Sequence, residues 1–315
     1  MQDSKKILLK IVLVIMSITA IVCAEDYYLS GQKNMAQPLL VLDTKTNDQL
    51  PRNFRTMHDK FDSSVSKAGL DRLHVSGSAA FSVSQLEKVK EHLKEKKIIV
   101  VDLRQESHGY VNGESVSWYA DANAANRDKT YEQILDDEKN KLAKILSLKN
   151  KSVLEVADVK EKSEGVIRRS VPVAFTVQTA QSEEEVVRAL GMDYKRFTVR
   201  DHTRPSDEQV DEYVKLIRDL TSDEWIHAHC RAGKGRTTTF IAIYDMMKNA
   251  KTVGLEDILK RQYDIGGSDL MNGDGEAFKQ KDSDERAAFI KKFYQYAKEN
   301  NDGFKTLWSQ WLSGQ

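Results

Sequence analysis

Residues 229–237 read HCRAGKGRT and are the most informative stretch of this chain. The apolar run 225–228 precedes them and predicts a β-strand. Apolar residues at helical spacing follow and predict a helix, namely Phe240, Ile241, Tyr244 and Met247. A loop between a strand and a helix N-terminus directs successive backbone N–H groups toward one point, where the positive end of the helix dipole also lies. The stretch therefore predicts an anion-binding loop.

The side chains of this loop indicate chemistry on a bound phosphate. Cys230 begins the loop, where a positive environment favours the nucleophilic thiolate. Gly233 and Gly235 allow the backbone torsions of a tight turn. Arg236 offers a planar fork that suits two phosphate oxygens, and Thr237 places a hydroxyl near the sulfur. The alternative is a buried, inert thiol, but the neighbouring residues favour a nucleophile.

Composition limits the possible partners. The chain has 315 residues, of which 40% are apolar and 30% charged, as expected for a globular protein with a sizeable core. It carries 48 basic and 48 acidic residues, so the overall charge predicts neither a nucleic-acid partner nor a membrane partner. Attraction for an anion must be local.

The first 24 residues predict an export signal. Three lysines, the last of them Lys10, precede the apolar run 11–22, and small residues follow at 22–24. A run of twelve residues is short for a membrane span, which needs about 20 apolar residues. We expect cleavage after residue 24 and export to the periplasm or the medium; an uncleaved anchor is the alternative. Cleavage would leave Cys230 as the only cysteine.

Helical and strand-like segments alternate along the rest of the chain. Capping boxes predict helix starts at three places, Ser84 with Glu87, Ser182 with Glu185, and Ser206 with Gln209. Short apolar runs predict strands at 98–101, 171–177, 197–199 and 225–228. The alternation predicts an α/β fold, a sheet flanked by helices. The polar segments 104–128 and 149–169 interrupt it and predict loops or a small inserted β unit.

The loop also resembles a known signature. His-Cys, five residues and Arg-Thr are similar to the signature of the protein tyrosine phosphatase superfamily. Other segments resemble the bacterial cysteine phytases, which hydrolyse myo-inositol hexakisphosphate: PRNFR at 51–55, SGS at 76–78, DLRQESHG at 102–109, VSWY at 116–119, DH at 201–202 with Pro205, and RQYDIGG at 261–267. The resemblance implies one phosphatase domain over 25–315, without metal or other cofactor. It also implies a small partial β-barrel, expected from parts of 40–60 and 150–180.

A second catalytic group is expected on a separate loop. The alkoxide that leaves phosphorus needs a proton, which a carboxylic acid on a mobile loop can supply. In the superfamily this acid is an aspartate some tens of residues before the cysteine, and Asp201 lies 29 residues before Cys230. A solvated turn aspartate is the alternative. The predicted catalytic residues are Cys230, Arg236, Asp201, Thr237 and His229.

Substrate contacts are predicted with the same resemblance. The residues expected to bind substrate are Arg231, Ala232, Gly233, Lys234, Gly235, Arg55, His202, Lys279 and Lys281. Arg231 and Lys234 replace less basic residues of some relatives, which suits a substrate with several phosphates. For Lys279 and Lys281 a solvated helix face is the alternative. Two further positions differ from the family pattern: Arg200 stands where the family often has threonine, and Asp-Ser-Asp at 282–284 where it has tyrosine nearby.

The predicted activity is stepwise hydrolysis of inositol polyphosphates through a cysteinyl-phosphate intermediate. The alternative enzyme is a secreted protein tyrosine, dual-specificity or phosphoinositide phosphatase. A catalytically silent phosphate-binding module is a third reading, and the presence of nucleophile, arginine and acid candidates disfavours it. A wide basic cleft would favour the inositol substrate, and a deep aromatic pocket phosphotyrosine. The oligomeric state is left open.

Overall fold

A computed structural model of the chain describes residues 38–94, 97–272 and 275–315. The predicted signal peptide at 1–24 lies outside them. The described strands are β1 (Leu39–Thr44), β2 (Arg55–Thr56), β3 (Val75–Ser78), β4 (Lys97–Asp102), β5 (His108–Val111), β6 (Glu114–Tyr119), β7 (Val153–Ser163), β8 (Val166–Thr176), β9 (Ala180–Gln181), β10 (Asp193–Arg196) and β11 (Glu224–His229). The described α-helices are α1 (Val83–Leu93), α2 (Tyr131–Leu146), α3 (Glu183–Ala189), α4 (Asp207–Asp219), α5 (Gly235–Asn249), α6 (Leu255–Asp264), α7 (Gln280–Glu299) and α8 (Trp308–Ser313). Short 3₁₀ turns occur at 70–72, 121–123 and 277–279.

The sheet that carries the anion-binding loop has the order β10-β4-β11-β3-β2. Its first four strands run parallel and β2 pairs antiparallel at the edge. Strands covered on both faces are apolar throughout, and residues 98–101 of β4 are buried accordingly. The helix α5 follows central strand β11 and is buried from Arg236 to Met247. The predicted α/β architecture is confirmed.

Two predicted capping boxes are confirmed and one is displaced. Ser182 caps α3 and Ser206 caps α4, each with the predicted partner three residues on. The first helix begins two residues before its predicted start, because Ser82 has the extended backbone of an N-cap and pairs with Gln85. The predicted strand at 197–199 is also wrong. The strand ends at Arg196, and buried residues 197–199 lead from it into a loop.

A second sheet has the order β8-β7-β1-β6-β5-β9. Segments 39–44 and 153–176, which the predicted β unit includes, lie in this sheet, whereas β2 belongs to the first sheet. The hairpin β5–β6, which lies in the segment 104–128 predicted to form loops or an inserted β unit, supplies two of its inner strands. Glu164 and Gly165 both have positive φ at the turn of the long hairpin β7–β8, as a tight two-residue turn requires. Closure of this sheet into a partial barrel stays a prediction.

Among the described residues no helix is both long and apolar enough to cross a membrane.

Candidate active site

The loop between β11 and α5 is held from outside by its carbonyl oxygens. Three donors come from separate parts of the fold: Ala80 N to Arg231 O (3.2 Å), Asn53 Nδ2 to Ala232 O (2.8 Å) and Arg55 Nη1 to Gly233 O (2.8 Å). The fourth bond, Thr238 N to Lys234 O (2.8 Å), belongs to the first turn of α5. In a planar trans peptide the N–H points opposite to the C=O. Carbonyls that face outward therefore turn the following N–H groups inward.

These inward N–H groups form an anion cradle. Within the described ranges, no backbone N–H of residues 231–235 donates to a protein acceptor. The cradle requires glycine at 233, where φ is +69° and an added Cβ would lie 2.4 Å from the backbone of Ser78 and Ala79. Converging N–H groups at the start of a long helix stabilise a bound anion. The predicted anion-binding loop is therefore present as a geometric feature.

Cys230 lies at the base of the cradle. It is a free thiol with only 3% of its surface exposed. The hydroxyl of Thr237, on the first turn of α5, donates to Sγ at 3.3 Å. A donor at this distance stabilises negative charge on sulfur, both before attack on phosphorus and when the thiolate leaves.

Arg236 is buried and held in a fixed orientation by Glu106. The two guanidinium nitrogens lie 2.8 and 3.1 Å from the two carboxylate oxygens of Glu106. The Nη1 atom also donates to two backbone carbonyls, of Leu103 at 3.3 Å and of Val199 at 3.2 Å. Burial alone would lower the pKa of Arg236, but the neighbouring Asp201 and Glu106 hold it well above its ordinary value. The guanidinium is thus permanently charged and oriented.

Glu106 has no assigned role in the sequence analysis. It belongs to a buried chain of alternating charges: Arg231 Nε to Asp43 Oδ1 (2.7 Å), Arg104 Nη2 to Asp43 Oδ2 (2.8 Å), and Arg104 Nε to Glu106 Oε1 (2.9 Å). The sequence does carry a signal for it. Glu106 follows the carboxyl end of β4, and β4 neighbours β11, which Cys230 follows directly.

Asp201 lies beside the guanidinium of Arg236. Its Oδ1 is 3.1 Å from Arg236 Nη2 and its Oδ2 accepts from Asn123 Nδ2 at 3.2 Å. Burial alone would raise the pKa of Asp201, but Arg236 and then His202 lower it below the ordinary value. Asp201 is thus an ionised carboxylate when no anion fills the cradle. The adjacent His202, whose φ is +71°, has its pKa lowered by burial.

His229 lies behind the loop, and its predicted catalytic role is corrected. Its ring is fully buried, and Nε2 lies 2.6 Å from Glu183 Oε1. Asp102, Glu183 and His229 together offer atoms that could ligate a metal. However, cations already pair with both carboxylates: Arg196 Nε lies 3.1 Å from Asp102, and His108 Nε2 lies 3.2 Å from each carboxylate. The cluster is a structural ion-pair network that supports the loop from behind.

Arg55 also has a different place from the predicted one. Its side chain is buried under the loop, where Nη1 holds the Gly233 carbonyl and Nη2 donates to Thr238 Oγ1 at 3.1 Å. Burial lowers the pKa of Arg55 to about 10, although the Cys230 thiolate opposes this shift. Arg55 therefore supports the cradle and adds positive charge beneath it. The described structure does not place it in the cleft.

The two basic residues of the loop are both tied to protein acceptors. Lys234 donates to the carbonyl of Gly266 at 2.7 Å, and its pKa is lowered by burial and then by Arg55. Arg231 pairs with Asp43 through Nε, and its guanidinium carbon lies 5.1 Å from the ring centre of Tyr119. Lys234 thus braces the loop, and its predicted contact with substrate stays a prediction. Arg231 lies at the loop's edge beside Tyr119.

Lys279 and Lys281, the predicted substrate contacts farthest from the loop, differ in their surroundings. Lys281 is 87% exposed and its nearest ion-pair partner is Glu285 at 3.8 Å, so it lies on a solvated helix face. Lys279 is largely covered, lies beside Phe278 and pairs with Glu276. Its charge helps to lower the pKa of His202, so it lies close to the loop 200–205 that carries Asp201, here called the acid loop. The exposure of Lys281 favours the solvated-face alternative, and its contact with substrate stays a prediction, as does that of Lys279.

The structure adds a cation that the sequence analysis missed. Lys162, near the turn of the hairpin β7–β8, has its ammonium 5.2 Å from the Tyr119 ring centre, so Lys162 and Arg231 lie against the same ring. Partial desolvation, and then Arg231, lowers the pKa of Lys162. Within the Lys/Glu-rich segment 149–169 no local pattern distinguishes it. Only the folding of the hairpin against residues 119–123 brings it there.

The fold and the site together define a cysteine-dependent phosphatase of the tyrosine phosphatase type. Residues 101–248 match the family model of protein tyrosine phosphatase-like phytases. The description of that family names inositol hexakisphosphate. A phytase of this type from Bdellovibrio bacteriovorus is 37% identical, with a TM-score of 0.67, over 89% of this chain and 98% of that one. The chain belongs to the protein tyrosine phosphatase-like phytase family.

Two further relatives are similar over part of their length. The myo-inositol phosphatase of Mitsuokella multacida, solved with myo-inositol-(1,3,4,5)-tetrakisphosphate, is 37% identical with a TM-score of 0.80, and the match covers 90% of this chain and 50% of that one. The effector protein hopD2 of Pseudomonas syringae is 33% identical over 82% of this chain and 56% of its own length. The chain thus spans about half the length of each of these proteins.

Proposed function

We propose that this enzyme removes phosphates stepwise from myo-inositol hexakisphosphate and lower inositol polyphosphates. One observation carries the proposal. Cations surround the cradle on several sides, with Arg231 and Lys162 against Tyr119 and Lys279 beside the acid loop. A substrate with several phosphates offers each of them an anionic partner, and such charge-assisted contacts are strong. The inositol tetrakisphosphate complex of the Mitsuokella relative supports the same substrate class.

The mechanism proceeds by two displacements at phosphorus. The cradle and Arg236 bind the scissile phosphate, and the Cys230 thiolate attacks phosphorus while the bond to the inositol oxygen breaks. Asp201 donates a proton to that oxygen. A water molecule, deprotonated by Asp201, then attacks the cysteinyl phosphate and releases phosphate and thiolate. Thr237 stabilises the thiolate in both steps.

Asp201 takes up a proton from solvent when the substrate binds. In the structure Arg236 keeps this carboxylate ionised. A phosphate dianion in the cradle compensates the charge of Arg236 and adds negative charge near Asp201. Both effects raise the proton affinity of the carboxylate. The acid is therefore protonated in the complex, where the leaving group needs it.

A second candidate is a protein phosphatase that acts on a host. The observation in its favour is the similarity to the effector protein hopD2.

Export is a proposal of its own, supported by the lysines and apolar run of residues 1–24. Comparison of the N-terminus of secreted and cytoplasmic protein tests it. A protein recovered only from the cytoplasm with residues 1–24 intact would contradict export.

The decisive experiment compares three substrates without added metal: inositol hexakisphosphate, a phosphotyrosyl peptide and a phosphoinositide in vesicles. We expect the fastest phosphate release from inositol hexakisphosphate, with lower inositol phosphates appearing in sequence. The matched control Cys230→Ser should bind the substrate, because the cradle and Arg236 remain, but should not turn it over. Turnover by this variant within about tenfold of wild type would contradict the mechanism. Faster hydrolysis of the peptide would favour the second candidate.

A further inference from the structure

The loop that carries Asp201 is bonded to helix α7 on both sides of the acid. Before Asp201, Arg200 Nη2 lies 3.0 Å from Asp282 Oδ2 and 3.4 Å from Oδ1. After it, Arg286 Nη1 donates to the carbonyl of His202 at 3.3 Å. Asp282 and Arg286 are four residues apart, so they lie on one face of α7. A single helix face therefore holds the chain on either side of the acid.

The conformation of this loop needs such support. His202 has φ of +71°, and a non-glycine residue in this region is strained unless the surroundings hold it. Within the turn, Thr203 Oγ1 bonds to the carbonyl of Arg200 at 3.1 Å, which shapes the turn but does not fix its position. Its position comes from the contacts with α7, together with the bonds from Arg236 to the Val199 carbonyl and from Asn123 to Asp201. It matters because Asp201 Oδ1 must stay near Arg236.

The same helix face also touches the phosphate cradle. A Cβ added to Gly235 would lie 3.1 Å from Arg286 Nη1, so Arg286 lies between the first residue of α5 and the acid loop. The ring of His202 packs edge-on against Phe278, at 5.6 Å between ring centres, just before α7. The start of α7 thus sets the distance between the acid loop and the cradle.

We propose that Arg200 and Asp282 are positioning residues, whose ion pair holds the acid loop on α7 so that Asp201 can protonate the leaving group. The two side chains are partners between the loop and the helix, with Arg200 Nη2 3.0 Å from Asp282 Oδ2. The proposal rests on the role of Asp201 given under the proposed function. The side chains are 36% and 18% exposed, so salt weakens the pair.

The test compares substrates whose leaving groups differ in their need for a proton. Inositol hexakisphosphate needs a protonated leaving group, whereas nitrophenyl phosphate does not. Asp201→Asn is the reference and should lose about 10²-fold or more on the first substrate and much less on the second. Arg200→Ala and Asp282→Ala should each lower kcat about fivefold to tenfold on the first substrate only, with KM little changed. In the Asp201→Asn background they should add nothing.

Two further variants separate positioning from folding. The exchanged pair Arg200→Asp with Asp282→Arg should restore most of the lost kcat, because the opposite charges meet again. Arg188→Ala removes a comparable exposed pair, with Glu184 on α3 at 2.8 Å, and should change neither activity. Urea midpoints of all variants should stay close to wild type.

The outcomes separate the positioning role of the Arg200–Asp282 pair from the acid role of Asp201. Equal losses on both substrates in the single variants, no loss at all, or failure of the exchanged pair to recover would overturn the positioning role. If Asp201→Asn itself loses equally on both substrates, the acid assignment fails first. If wild type does not hydrolyse inositol hexakisphosphate, phenyl phosphate takes its place, since its leaving group also needs a proton, and the positioning role is still tested.

Discussion

Arg236 contacts two carboxylates that serve different purposes. Glu106 binds it through both oxygens in a buried, permanent pair, whereas Asp201 reaches it from a loop at the surface. The buried pair orients the guanidinium. The loop carboxylate must later give up its ion pair with Arg236 when phosphate binds. The geometry of one side chain thus couples substrate binding to protonation of the acid.

The cradle depends on the backbone conformation of Gly233. Ala at this position would need φ near +69° and would place Cβ 2.4 Å from neighbouring backbone atoms. The left-handed conformation alone costs about 1–2 kcal/mol, and the clash must displace the cradle. We expect Gly233→Ala to lower the urea midpoint and to reduce kcat/KM more than about tenfold.

The control is Gly254→Ala, because an added Cβ there meets no atom within 4 Å and φ is −66°. It should leave activity unchanged. Wild-type kcat/KM in Gly233→Ala would show that the cradle does not depend on this backbone geometry.

At the scale of elements, the hairpin β7–β8 extends the site beyond the phosphate loop. Its turn packs against Ala122, where Ala122 N donates to the Gly165 carbonyl at 2.9 Å. An added Cβ on Gly165 would lie 3.1 Å from Phe278. The hairpin therefore docks beside the acid loop. Lys162 comes to the cleft as a consequence of this packing.

Lys162→Ala should weaken polyphosphate binding selectively. Loss of one charge-assisted contact of about 1.5–3 kcal/mol would raise KM for inositol hexakisphosphate about tenfold or more. A monophosphate occupies only the cradle, so its KM should stay within about twofold. The control is Lys160→Ala on the same strand, which removes a pair with Asp158 at 2.9 Å. Steady-state kinetics at two salt concentrations measures both. Equal effects on the two substrates would show that Lys162 does not bind a second phosphate.

At the scale of the whole molecule, buried titrating groups link the two sheets and make stability depend on pH. Burial alone would raise the pKa of Glu183, but His229 lowers it to about 2. Burial alone would lower the pKa of His108, but Asp102 raises it to about 10. Burial and the neighbouring His229 lower the pKa of His227 to about 3.

The three shifts act on different pH ranges. The contribution of Glu183 is present above its ordinary pKa of 4.5 and is lost as pH falls toward 2. The contribution of His108 is present below 6.5 and is lost as pH rises toward 10. Below pH 6.5 His227 binds a proton in the unfolded chain but stays neutral in the folded protein, so it destabilises the folded state as pH falls. The free energy of unfolding should therefore peak near pH 6.5.

Urea unfolding at about pH 5, 6.5 and 9 tests this maximum. His108→Gln should be less stable at pH 6.5, since Asp102 loses a cation, but should show a smaller further loss toward pH 9. The control His58→Gln, at an exposed histidine, should keep the wild-type profile. An unchanged alkaline decline in His108→Gln would assign that decline to another group.

The local residue pattern was enough to predict the phosphate loop, because its chemistry is contiguous. Strand, glycine-bearing turn and helix follow one another in 225–249, and the residue types of the loop indicate that it binds phosphate. Asp201 could be predicted as well, since the superfamily resemblance implies an aspartate before the cysteine and the loop of Asp201 lies between a strand and a capped helix. The α/β class followed from alternating segments. None of these inferences required a long-range contact.

Only the tertiary structure decided which charged side chains pair with protein groups and which lie at the substrate site. Arg55 looks like a substrate ligand in the sequence, but the fold buries it beside a carbonyl, and a buried cation must satisfy such a partner first. The partly exposed Lys234 also donates to a carbonyl. Glu106 and Lys162 look like ordinary charged residues, yet strand adjacency and hairpin docking bring them to the site. The physical reason is that residue type determines what a side chain can bind. Only the folded chain determines which partners are within hydrogen-bonding distance and which remain for the substrate.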